Sequence, residues 1–180
     1  MVTAMVTPMK PDGSIDYDGV KKLAEHLVAN GHDGLVVNGT TGESATTTDE
    51  ENIETVRAVA DAVKGRTAIT AGVGTNDTAH SVRAAKALAD AGADAVLVVT
   101  PYYNKPTQAG IVEHFKAVVG ATDLPAMAYD IPGRSGTALA SDTIRQLATI
   151  DQVRAVKDAK GDFFEATKLM DETDLLWYSG

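Results

Sequence analysis

Lys157 closes the run Val153-Arg-Ala-Val-Lys157, and Asp-Ala-Lys-Gly161 follow it. An amine at the end of a buried strand is stripped of water, so its charged form is disfavoured and its neutral form can attack a keto group to give an imine. The same residue can instead snorkel to solvent or pair with Asp158. Tyr129 ends a second short run, where its phenol can serve as acid, base or proton carrier, or can be an interface or core tyrosine with a satisfied hydroxyl. Thr40 and Thr41 follow Gly39, a residue that permits a tight turn; their hydroxyls and N–H groups can bind a carboxylate or relay a proton, although a plain turn uses similar residues. Tyr102 and Tyr103 sit between Pro101 and Pro106, a stiff aromatic loop suited to a ligand, to another subunit or to a buried rim. Arg134, after Pro132 and Gly133, has a fork that can take a carboxylate in two hydrogen bonds or form a surface ion pair. Ser179-Gly180 ends the chain, and Gly180 is grouped with the substrate-binding candidates.

These segments form one site only if the fold gathers them. Apolar runs at Val2 to Thr7, Leu35 to Asn38, Ala68 to Ala71, Ala95 to Thr100, Ala126 to Tyr129, Arg154 to Lys157 and Leu175 to Ser179 read as strands buried on both faces. Helical stretches at 16–30, 49–63, 78–91, 107–120, 141–148 and 162–171 alternate with them. Asp16 and Thr48 to Glu51 place acceptors and negative charge at helix starts, and Gly31, Gly65 and Gly92 follow helix ends. The stretch from Ala29 to Asn38 is echoed from Asp90 to Val99, each reading as helix, glycine, turn and buried strand. Seven strands in βα units exceed a five- or six-stranded open sheet and suit a TIM (β/α)₈ barrel. The expectation is a partial barrel domain over residues 1–180, truncated after strand 7, with the candidate residues at the carboxyl ends of the strands. In such a mouth Lys157, Tyr129, Arg134, the threonines and the tyrosine loop all meet.

Composition narrows the function. The net charge is −9, and the 16 basic residues are scattered, which argues against nucleic acid. An acidic surface repels anionic substrates, so a site for small carboxylic acids needs its own cation, for which Arg134 is the candidate. No cysteine is present, which removes disulfides, thiolate metal sites and thiol nucleophiles. His26, His32, His80 and His114 lack metal-ligand spacing, so no metal is expected. No apolar run is long enough to span a bilayer and no secretory signal opens the chain, so no membrane association and a cytoplasmic location are expected. No G-x-G-x-x-G or P-loop pattern follows a strand, against a non-catalytic α/β binding module.

The segments G-T-T-G-E at 39–43, T-P-Y-Y-N-K-P at 100–106, Y-D-I-P-G-R-S-G at 129–136 and V-K-D-A-K-G at 156–161 resemble the dihydrodipicolinate synthase family, in unbroken order from Val2 to Gly180. The resemblance implies condensation of pyruvate with L-aspartate 4-semialdehyde to 4-hydroxy-tetrahydrodipicolinate, on the diaminopimelate and lysine route, with no cofactor. It makes Lys157 the Schiff-base lysine and Tyr129 the proton shuttle. Thr40 links Tyr129 to Tyr103, which acts across an interface of a homotetramer. Thr41 holds the pyruvate carboxylate and Arg134 that of the semialdehyde. N-acetylneuraminate lyase and keto-deoxy-sugar-acid aldolases share the barrel, lysine and tyrosine, but the Y-x-x-P-x-R-[ST]-G pattern and the threonine pair favour the synthase. By the same resemblance an eighth βα unit and C-terminal helices are missing, and weak or absent turnover is the expectation for residues 1–180 alone.

Overall fold

Every predicted apolar run becomes a parallel strand in the computed structural model, which describes residues 1–180 and holds seven strands and seven helices. The chain forms two compact units, Met1–Gly72 with Lys86–Ala95 and Val73–Ala85 with Val96–Gly180.

In the first unit β1 (Val2–Ala4), β2 (Gly34–Val37) and β3 (Ala68–Gly72) pair in chain order. All four residues of β2 are buried, as a strand covered on both faces requires. α1 (Tyr17–Ala29) buries Val20 and Ala24, and α2 (Asp49–Val63), which packs on α1 and β3, buries Val56, Val59 and Val63 at helical spacing. Both helix starts are fixed as their sequences imply. The Asp16 carboxylate accepts the Gly19 N–H, while Thr48 and Glu51 satisfy each other's backbone N–H in a reciprocal capping box. β1 is shorter than the run Val2 to Thr7 suggests. The Met5 N–H still reaches the Val36 carbonyl at 2.9 Å, after which the chain leaves the sheet and Thr7 turns its hydroxyl onto the Gly42 carbonyl at 2.7 Å.

α3 (Thr78–Asp90) runs through the point at which the chain passes from one unit to the other. The second unit builds on β4 (Ala95–Val99), β5 (Ala126–Asp130), β6 (Val153–Asp158) and β7 (Leu176–Ser179), paired in that order. Its helices are α4 (Gln108–Val119), α5 (Pro132–Ser135), α6 (Ser141–Ala148) and α7 (Phe163–Glu172). Ile111, Phe115, Val118, Leu139, Ile144, Leu147 and Leu169 are fully or almost fully buried, each contributing about 1.5–3 kcal/mol by leaving water. The sequence reads 131–136 as a turn, but one helical turn forms there. Pro132 in the first turn fixes φ and has no N–H to leave unpaired, and Gly136 ends the turn at φ +76°.

One irregularity sets the phase of the functional strands. β5 and β6 run with Ala126 opposite Val153 but Met127 opposite Ala155, so exposed Arg154 is an extra residue on β6. Without it Tyr129 would lie opposite Val156; with it Tyr129 lies opposite Lys157, and both side chains share one face of the sheet.

Candidate active site

Lys157 is the last residue but one of β6, half-buried, between Tyr129 on β5 and Tyr178 on β7 in strand register. Its Nζ stands 4.4 Å from the centroid of the Tyr129 ring. The adjacent residues Val156 and Asp158 line a small cavity together with Ile144 of α6 and Ala166 and Leu169 of α7. Side chains alternate along a strand, so Lys157 points away from the helices. Desolvation by burial lowers its pKa from the usual lysine value. No carboxylate pairs with it. Asp158 instead accepts the Lys160 N–H at 2.7 Å, and the Lys160 ammonium pairs with Glu165. Of the two roles open to Lys157, solvated cation or desolvated amine, this geometry favours the amine.

Tyr129 is 4% exposed, and its carbonyl takes both the N–H and the hydroxyl of Thr100, at 3.0 and 3.2 Å. The backbone is thereby pinned while the ring lies along the lysine. The face of a phenol attracts a cation, which draws the lysine to the ring, while burial disfavours its charged form.

Arg134 lies on α5, exposed, with its N–H bonded to the Ile131 carbonyl at 2.9 Å. Its guanidinium makes no ion pair with a neighbouring carboxylate, which leaves its fork open to a ligand. Tyr103 is 89% exposed in the β4–α4 loop and takes φ +73°, a left-handed conformation unusual for an aromatic residue. Its N–H reaches the Ser135 carbonyl at 3.3 Å, which ties the tyrosine loop to the arginine turn. Gly180 is exposed and its N–H is spent on the Asp158 carbonyl at 2.7 Å, so it has no free backbone donor for a substrate.

Thr40 and Thr41 belong to the first unit and are exposed in the turn after β2. The turn differs from the expected one: the left-handed residues are Asn38 at φ +55° and Glu43 at φ +59°, not Gly39. Asn38 is held there by its own amide, which donates to the Asn52 carbonyl at 2.9 Å. Asparagine tolerates this conformation better than most residues, and that was the available signal.

Two residues beside the site were not anticipated. Asp130 follows Tyr129, is 2% exposed, and accepts the Leu139 N–H at 3.1 Å. Burial pushes its carboxyl up to about 6, against the opposing pull of that hydrogen bond and of Lys160. Strand parity carried the clue: if Tyr129 faces the lysine, Asp130 must face the helices. Gln108, at the start of α4, bonds the backbone at Ala138 and Ala140. Nothing in its sequence context announces that role. No helix is long and apolar enough to cross a membrane.

An unpaired lysine at the carboxyl end of a parallel strand, beside a tyrosine, is an arrangement able to form an imine with a carbonyl compound. The model of the dihydrodipicolinate synthetase family matches residues 1–180, and the chain belongs to that family. It is 54% identical over 180 residues to the 4-hydroxy-tetrahydrodipicolinate synthase of Acidothermus cellulolyticus, covering all of this chain and 58% of that protein. The crystal structure of dihydrodipicolinate synthase DapA-2 from Bacillus anthracis matches with a TM-score of 0.97 at 44% identity, over 99% of this chain and 62% of that one. The enzyme from Acinetobacter baumannii, solved with pyruvate, matches with a TM-score of 0.96 at 41% identity, over 99% and 62%. The fold class is therefore the TIM barrel, represented through its seventh strand, and the chain spans about three-fifths of the length of the relatives it matches.

Proposed function

We propose that this chain carries the Schiff-base lysine of a 4-hydroxy-tetrahydrodipicolinate synthase, a lyase that joins pyruvate to L-aspartate 4-semialdehyde in lysine biosynthesis. The carrying observation is Lys157 with its ammonium form disfavoured by burial, unpaired, and 4.4 Å from the Tyr129 ring.

Neutral Lys157 Nζ attacks pyruvate C2, and loss of water leaves a protonated imine. That cation drains electrons from C3, so a C3 proton departs and an enamine forms. The enamine carbon bonds to the aldehyde carbon of the semialdehyde, whose oxygen takes up a proton. The substrate amine then attacks C2, closes the ring and releases the lysine. Tyr129 serves the proton transfers at the imine. Thr40 extends the relay to Tyr103, which acts across an interface of a homotetramer. Thr41 holds the pyruvate carboxylate and Arg134 the carboxylate of the second substrate. A negative surface makes that arginine necessary, since an incoming carboxylate meets net repulsion elsewhere. Residues 1–180 form part of one barrel domain, and the protein works in the cytoplasm. Family membership and the pyruvate-bound relative support the reading.

The test is turnover by the full-length protein with pyruvate and either L-aspartate 4-semialdehyde or a sugar aldehyde. Turnover with the semialdehyde, lost in Lys157→Ala, is expected. Preference for the sugar aldehyde assigns the protein to a lyase of different substrate, and turnover by Lys157→Ala refutes the mechanism.

A further inference from the structure

The segment that bears Arg134 leaves β5 after Asp130 and re-enters regular structure at Ser141. Within it the bonds are local: the Ser135 hydroxyl donates to the Ile131 and Thr137 carbonyls at 3.0 and 2.9 Å, and the Gly136 N–H donates to the Pro132 carbonyl at 2.9 Å. Local bonds shape a turn but leave its orientation on the scaffold open. Orientation is fixed where the segment ends. From α4, Gln108 Nε2 donates to the Ala138 carbonyl at 2.9 Å, and its Oε1 accepts the Ala140 N–H at 3.0 Å and the Thr143 hydroxyl at 2.5 Å. Between those two backbone contacts, Leu139 sends its N–H to the Asp130 carboxylate at 3.1 Å and buries its side chain completely. Three consecutive residues are thus held by two side chains from two different elements.

We propose that Gln108 and Asp130 form a two-sided clamp on Ala138–Ala140 that sets the position of the Arg134 guanidinium, making both of them positioning residues for the second substrate. The proposal rests on the reading of Arg134 as that substrate's carboxylate anchor. A fork that makes two hydrogen bonds tolerates little misplacement, so a tilt of α5 is felt at its tip. The Tyr103 N–H bond to Ser135 carries the same tilt to the tyrosine loop. Lys157 and Tyr129 are held by the backbone pairing of β5 with β6, in which the Gln108 and Asp130 side chains take no part, so loss of the clamp falls on the aldehyde and not on pyruvate. Asparagine at 130 preserves an acceptor for Leu139, and the groups that face Asp130 are Asp158, Lys160 and Glu165, none of which replaces that acceptor.

The experiment is steady-state kinetics of the full-length protein and its Gln108→Ala, Asp130→Ala and Asp130→Asn variants, with trapping of the pyruvate adduct by borohydride. The clamp predicts a rise of about tenfold in KM for the semialdehyde in both alanine variants, a rise confined to that substrate, and recovery in Asp130→Asn. Equal changes in both substrates' KM, or a lower melting temperature with the aldehyde KM unmoved, overturn it and leave the two residues a merely structural role. Should Asp130→Ala not fold, Gln108→Glu, which sets a carboxylate against the Ala138 carbonyl, must give the rise or the proposal falls. Failure of the unmutated protein to trap pyruvate refutes the synthase reading; trapping with normal aldehyde KM in the variants refutes the clamp alone.

Discussion

Replacing Asp130 by asparagine stabilises the protein at neutral pH and does nearly nothing to its stability in acid. The carboxyl is 2% exposed and is pushed up to about 6 from 3.8, mainly by burial. A carboxyl that holds its proton more tightly when folded makes ionisation a cost to the fold. The cost is absent below pH 3.8, grows as the pH climbs to about 6, and is complete above it, where the gap corresponds to about 3 kcal/mol. Asparagine cannot ionise, and its amide oxygen still accepts the Leu139 N–H. Urea denaturation of the two full-length proteins should therefore differ by about 3 kcal/mol in favour of Asp130→Asn at about pH 7.5, and by less than about 1 kcal/mol at about pH 4. The difference cancels every other titrating group. An advantage that does not vary with pH refutes the reasoning, because it means that Asp130 titrates as it does in the unfolded chain; a variant that loses stability relative to the parent as the pH rises refutes it too, because it means a lowered carboxyl.

Gly72 has no room for a side chain: a Cβ there would lie 2.0 Å from the Asn38 carbonyl oxygen. Gly72→Ala should lose at least about 2 kcal/mol in thermal unfolding, and an unchanged melting temperature would contradict the packing described for the β2–β3 pair. Tyr129→Phe keeps the ring beside Lys157 and removes the phenol oxygen. Its kcat should fall about 10²- to 10³-fold, and an unaltered kcat would deny the phenol any part in proton transfer.

The backbone plan was legible because the chain states it twice, in the spacing of its β-branched runs and in its caps. Asp16, Thr48 and Glu51 make the bonds their types imply, and Gly31, Gly65 and Gly92 all take left-handed φ values. Lys157 and Tyr129 were legible for the same reason: a strand end is a fixed address, and two neighbouring strands give two neighbouring addresses. Their sharing of a face was not readable, since it depends on the extra residue Arg154, and an irregularity in pairing leaves no mark in a run of apolar residues. The helical turn at Pro132–Ser135 was hidden by its own composition, because proline and glycine serve equally in a loop. Gln108 and Asp130 act through backbone atoms about thirty and nine positions away, and such partners have no spacing rule.

The account turns on which nitrogen captures the keto acid. Full-length protein incubated with pyruvate, reduced with borohydride, digested and sequenced by mass spectrometry should carry one reduced pyruvate on the peptide containing Val153–Asp158, with fragmentation placing it at Lys157. An adduct on Lys160 or on any other amine, or no adduct at all, would contradict the claim that burial has made Lys157 the nucleophile.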